Sequence, residues 1–182
     1  MKNFNLLIAL YIFFIIFSCK KSENDSISTF KFENDSISTF KALKDGVDWI
    51  STSNWSNLSK TDNKYIINGI KRNSQYYEEE CLNLTFNISD ISKSKTVTKF
   101  TSSWNYIVGG DALTDNYVID TTSDNLIQIT SLDTTNRSIS GTFKVKLLKN
   151  KLFSNTGEIM NFTSGQFNLN YQKVDLYNSK SK

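Results

Sequence analysis

NLIQITSLDTTNRSISGTFKVKLL, residues 125–148, is the stretch whose reading decides the fold. Its large apolar residues fall on every second position: Ile127 and Ile129, then Ile139, Phe143, Val145 and Leu147, with Gly141 in the same series. Ser138, Ser140, Thr142, Lys144 and Lys146 take the alternate positions. A spacing of two puts these sets on opposite faces of a pleated strand, whereas a helix would need apolar residues three and four apart. The polar run from Asp133 to Asn136 separates the two alternating segments, so the stretch reads as a β-hairpin with one buried and one wet face.

The same period extends in both directions. Cys81 to Ile88 sets Leu82, Leu84, Phe86 and Ile88 on one side and Cys81, Asn83, Thr85 and Asn87 on the other. Ser38 to Leu43 and Val47 to Ile50 flank Asp45 and Gly46, a pair that supplies the positive φ a tight hairpin turn needs, and Trp49 is placed in the core. Lys64 to Lys71, Ser102 to Val108 and Asn116 to Asp120 read as further strands, and Gln166 to Gln172 as a final one with Phe167, Leu169 and Tyr171 inward. No segment carries a helical pattern. The expectation is an all-β protein: a single antiparallel β-sandwich, or sandwich-like barrel, of about eight strands over residues 39–175, followed by a disordered basic tail at 176–182. Long polar links at both ends of the strands argue against an outer-membrane barrel.

Composition removes several functions. There is no histidine, so a Ser-His-Asp triad, a Cys-His dyad and an imidazole metal site are excluded. A net charge of +3, scattered along the chain, predicts no nucleic-acid partner. No cofactor is expected.

The chain begins MKNFNLLIALYIFFIIFSCKK, with one lysine, an apolar run from Leu6 to Phe17, and a small residue before Cys19. The run is too short to span a bilayer and has the layout of a cleaved export signal, residues 1–18. Ile16, Phe17, Ser18 and Cys19 resemble the lipobox of bacterial lipoproteins, which implies that Cys19 becomes the acylated first residue of the mature chain. The lipid bilayer is then a partner through Cys19, and Cys81, the other of two cysteines, has no intrachain disulfide partner. Residues 19–38 read as a flexible lipidated tether. It includes one copy of the nonapeptide ENDSISTFK (23–31) and most of a second (33–41), too few repeats for a solenoid.

Three motifs in the closing third carry a wider resemblance: Ile129, Thr130 and Asp133; Ile139-Ser140-Gly141-Thr142-Phe143; and Thr163, Gly165 and Phe167. They resemble a family of uncharacterised small lipoproteins from Bacteroidota that show I-T-x-x-D, I-S-G-T-F and T-x-G-x-F strands. Phe40, Ala42, Asp45, Gly46 and Trp49, and Leu82 to Phe86, fit its opening hairpin and central strand more loosely. Ser164 stands where the family usually has Asn. The resemblance implies an all-β domain on a lipid anchor at the outer membrane, in the periplasmic or cell-surface leaflet, and brings no catalytic residue. Asp-Ser/Thr-apolar tripeptides carry O-glycans on exported proteins of that phylum, which makes Ser26 and Ser36 candidate O-glycosylation sites; Asp120-Thr121-Thr122 and Asp133-Thr134-Thr135 are weaker matches.

Trp55, set among Ser53, Asn54, Ser56 and Asn57, is the tryptophan expected at the surface and the candidate ligand contact. Glu78, Glu79 and Glu80, with Asp111 and Asp115, are the acids a polysaccharide hydrolase would use, but adjacent strand residues alternate faces, so the three glutamates alone cannot make a two-carboxylate clamp. Asp111, Asp115, Asp120 and Asp124 lack the ligand spacing of a calcium loop, and no metal site is expected. The leading expectation is a non-enzymatic envelope lipoprotein that binds or scaffolds a glycan or an envelope protein; a hydrolase and a structural surface-coat protein are the alternatives.

Overall fold

The computed structural model describes residues 38–153 and 157–175, which belong to one compact unit. The signal segment, Cys19, Ser26, Ser36, nearly all of the tether and the basic tail lie outside the described residues. The chain forms β1 (Thr39–Lys44), β2 (Val47–Ile50), β3 (Ser53–Ser59), β4 (Lys64–Asn73) and β5 (Glu78–Asn87), then a short helix α1 (Ile88–Lys93). After it come β6 (Thr96–Val97), β7 (Phe100–Val108), β8 (Ala112–Ile119), β9 (Leu126–Asp133), β10 (Ser138–Lys149) and β11 (Ile159–Val174).

The all-β class holds, with eleven strands in place of about eight. They make one sheet in the order β2-β1-β11-β3-β4-β5-β7-β8-β10-β9-β6, and β10 also pairs with β11, so the ladder closes on itself. Of the two forms expected, this is the sandwich-like barrel. Closure depends on two long strands that change partner along one edge. β11 pairs with β1 over Phe162–Asn168 and with β3 over Tyr171–Val174; β10 pairs with β9 over Ser138–Lys144 and with β8 over Leu147–Lys149. The β3–β11 ladder is parallel, which corrects the purely antiparallel expectation.

Local chemistry explains the elements. Asp45 and Gly46 adopt φ of 49° and 84°, the left-handed pair that closes the β1–β2 hairpin. Asp133 caps the β9–β10 turn by accepting from the Thr135 and Asn136 amides at 2.8 and 2.9 Å. The helix corrects the reading of Ile88 as a strand residue. Asn87 caps it by accepting from Ser89 N at 2.9 Å, and Ile91, three residues after Ile88, is buried.

Inward positions hold Phe40, Trp49, Tyr65, Ile67, Leu82, Leu84, Ile127, Ile129, Ile139, Phe162 and Leu169, all essentially without solvent contact. Aromatic rings join the parts of the ladder: Trp49 meets Phe40 and Phe162 edge-on at 5.9 and 5.7 Å, and Tyr65 of β4 meets Tyr171 of β11 at 5.1 Å. Gly69 of β4 makes room for the Phe40 ring of β1, because a Cβ there would stand 2.5 Å from that ring. Apolar inside and polar outside is the reverse of a barrel whose outer wall meets lipid.

Candidate functional site

Strand alternation exposes Trp55. In β3, Ser56 and Leu58 turn inward and are buried, which leaves Trp55 on the outer face with 45% of its surface exposed. Trp49 and Trp104, by contrast, are core residues. Trp55 lies in register with Asn68 of β4, Asn68 with Asn83 of β5, and Asn83 with Ser103 of β7, so one row of the outer face reads Trp, Asn, Asn, Ser. Side chains in this row are held by each other. Asn83 Nδ2 donates to Asn68 Oδ1 at 3.0 Å and Thr85 Oγ1 donates to Asn83 Oδ1 at 3.0 Å. A parallel row one step along has Asn116 Nδ2 donating to Asn105 Oδ1 at 2.7 Å and Asn150 Nδ2 donating to Asn116 Oδ1 at 2.8 Å.

Asn68 is unusual within this face: only 4% exposed, and its Nδ2 has no hydrogen-bond partner. Cys81, half-buried on the same face, donates to Asn68 Oδ1 at 3.9 Å. Burial pushes its thiol pKa up and the Glu79 carboxylate adds to this, against a smaller opposing effect of Arg72, so the sulfur stays protonated and is a poor nucleophile.

The acids proposed for hydrolysis are distributed by the same alternation. Glu79 faces outward and accepts from Arg72 Nε at 2.6 Å, while Glu80 turns inward, where it pairs with Lys44, accepts from Trp49 Nε1 at 3.0 Å and lies 3.9 Å from Lys71. Asp115 pairs with Lys149 at 2.9 Å. Asp111 is exposed in the turn between β7 and β8, next to Gly109 and Gly110, whose φ values of 68° and 88° form that turn. Tyr117 donates to Glu158 at 2.8 Å, and burial together with that bond pushes its hydroxyl pKa up to about 12.

Asp120 and Asp124 have separate partners. Asp120 accepts from Thr122 Oγ1 and Ser123 Oγ, each at 2.6 Å, and from Thr122 N at 3.0 Å, with Lys146 at 3.4 Å. These bonds hold its carboxyl far below the usual carboxylate range. Asp124 reaches Lys144. Among the described residues no three acidic or thiol side chains converge as a metal site would require. The Asp120-Thr121-Thr122 and Asp133-Thr134-Thr135 tripeptides are thus turn-formers whose aspartates serve their own loops.

Residues 36–169 match a family described as a domain of unknown function. The chain belongs to that family, DUF6252. The matched DUF6252 region takes in every strand from β1 to β10 and most of β11, so the Trp55 face and the closing hairpin both lie inside it. No curated protein matches the chain, and no solved structure does.

Within this DUF6252 domain the sequence singled out Trp55 but passed over Asn68, Asn83, Asn105 and Asn116. Their signal is present in hindsight as asparagine at outward positions of strands, where β propensity disfavours it.

Proposed function

We propose that this DUF6252 protein is a lipid-anchored envelope protein whose all-β domain binds a glycan without catalysis, through the open face around Trp55. The observation that carries the reading is the exposed indole of Trp55 on β3, with the part-exposed Asn83 and Thr85 on the same outer face. An indole face packs against the apolar side of a sugar ring, and fixed amides and hydroxyls beside it suit the ring's hydroxyl groups. Asn83 is held in place by its bonds to Asn68 and Thr85, which lowers the cost of ordering it against a ligand.

The anchoring half of the proposal rests on the sequence: a signal at residues 1–18, acylation of Cys19, the bilayer as partner, and an outer-membrane location in a member of the Bacteroidota. Ser26 and Ser36 are the proposed O-glycosylation sites of the tether. Two acyl chains or more hold a protein far more firmly than one. The hydrolase alternative has less support, since Glu79, Glu80 and Asp115 each have a cationic partner, and Glu79 and Glu80 point to opposite faces of their strand.

The test is an oligosaccharide array probed with the full chain in detergent. Trp55→Ala should weaken retention at least about tenfold while the thermal midpoint stays within a few degrees. Retention unchanged by the substitution would reject the Trp55 face. Labelled palmitate should enter the wild-type chain and not Cys19→Ser; equal labelling of both would reject the anchor.

A further inference from the structure

The outer face of β9, β10 and β11 carries a second set of features, remote in sequence from Trp55. Two shallow depressions of about 270 and 390 Å³ adjoin there, and Lys144 lines both. A bulge makes them. Phe143 pairs with Gly165 and Val145 with Phe162, so Lys144 is opposed by two residues, Thr163 and Ser164, both exposed. Ser164 takes φ of 50° to complete the bulge. Gly165 adds no side chain to fill the gap, and could not, since a Cβ would lie 2.5 Å from the Phe143 ring beneath.

The lining mixes apolar groups of Leu126 and Val145 with polar side chains. Thr142, Thr163, Ser164 and Gln166 make no side-chain hydrogen bond with any described residue. The cations are Lys144 and Lys146, with Lys41 on the same face opposite Gln166. Asp120 is saturated by Thr122, Ser123 and Lys146, and Asp45 by Asn161. Among the described residues Lys144 pairs with Asp124 alone, whose side chain is 90% exposed; a pair so wet is worth little and exchanges readily for another carboxylate.

We propose that this groove binds an acidic oligosaccharide. The ligand's carboxylate replaces Asp124 on Lys144, and its ring hydroxyls meet Thr142, Thr163, Ser164 and Gln166. Phe143 and Phe162, the aromatic residues among those that line the groove, are buried, so charge and hydrogen bonds supply the recognition and the ligand differs in kind from one stacked on Trp55. The two sites stand or fall independently.

The probe is a galacturonic acid trisaccharide, titrated into the full chain in detergent by calorimetry, with hydrogen exchange to locate it. The expected result is binding at or below about 1 mM, weakening as salt rises, with slowed exchange in β10 and β11. Lys144→Ser should weaken it about fivefold or more, Trp55→Ala should leave it unchanged, and the neutral galactose trisaccharide should bind more weakly. The proposal is overturned by no heat up to about 10 mM trisaccharide, by equal binding to Lys144→Ser, or by protection confined to β3 and β4. Displacement of the trisaccharide by an equal concentration of inorganic phosphate would reduce the groove to a simple anion site and overturn its glycan assignment.

Discussion

Asp120 shows what one residue contributes here. Its carboxylate is nearly sealed from solvent and accepts three hydrogen bonds from Thr122 and Ser123, two of them short, so its folded-state pKa lies well below that of the unfolded chain. A depressed carboxylate stabilises the fold fully above the unfolded pKa of about 3.9, and that contribution disappears as pH falls through the folded value. Denaturant midpoints should therefore be flat from neutral pH to about 5 and fall steeply below about 4. Asp120→Asn should be less stable at neutral pH and show a shallower acid decline; an identical acid profile would refute the assignment. The residue's role was not legible in the sequence, which showed Asp120 only as an acid without calcium-loop spacing and as the first residue of a weak glycosylation tripeptide. Its bonds are local, within three residues, but only the buried position makes them matter. Trp55 was legible, because the serines and asparagines around it could not build a core.

At the scale of the element, strands with clean alternation were readable and strands without it were not. β5 from Leu82 onward and β10 from Ile139 to Leu147 bury every second residue, and these are the parts read from the pattern. β3, SNWSNLS, has one inward apolar residue, Leu58, and takes strand form because β4 and β11 pair with its two edges. β11 starts at Ile159, well before Gln166, since the bulge at Ser164 breaks the alternation and hides its first half. Contact between β1 and β4 depends on Gly69. Gly69→Ala would push a methyl into the Phe40 ring, itself hemmed in by Trp49 and Phe143, and should cost about 1–3 kcal/mol by overpacking. Chemical denaturation measures this directly, and no change in midpoint would show that Phe40 moves aside freely.

For the whole molecule, closure of the ladder is the central feature, and its last stretch lies beyond the end of the family match at residue 169. Tyr171 is buried against Tyr65, and Tyr171 to Val174 provide the parallel partner of β3. A chain ending at Leu169 should lose about 3–5 kcal/mol from the missing aromatic ring alone, besides the β3 pairing. Together with the lost β3 pairing, this removes a large share of the about 5–15 kcal/mol that holds an ordinary domain folded. A truncated chain with the same cooperative transition as the full one would show that the ring need not close. Both proposed binding faces depend on this closure, because each lies on strands whose outward side is set by the inward packing of the other residues.

By itself the sequence determined the all-β class, the Asp45-Gly46 hairpin, the closing hairpin of residues 125–148, and the division of the tryptophans between core and surface. Those follow from local causes: side chains alternate across a strand, and turn residues accept a positive φ wherever they stand. The tertiary structure alone decided the parallel β3–β11 pairing, the partner changes of β10 and β11, the placing of Asn68 and Asn83 beside Trp55, and the Lys144 groove. Each of these joins residues far apart in the chain through register and bulges, and alternation within a single strand carries no information about which neighbour it will meet.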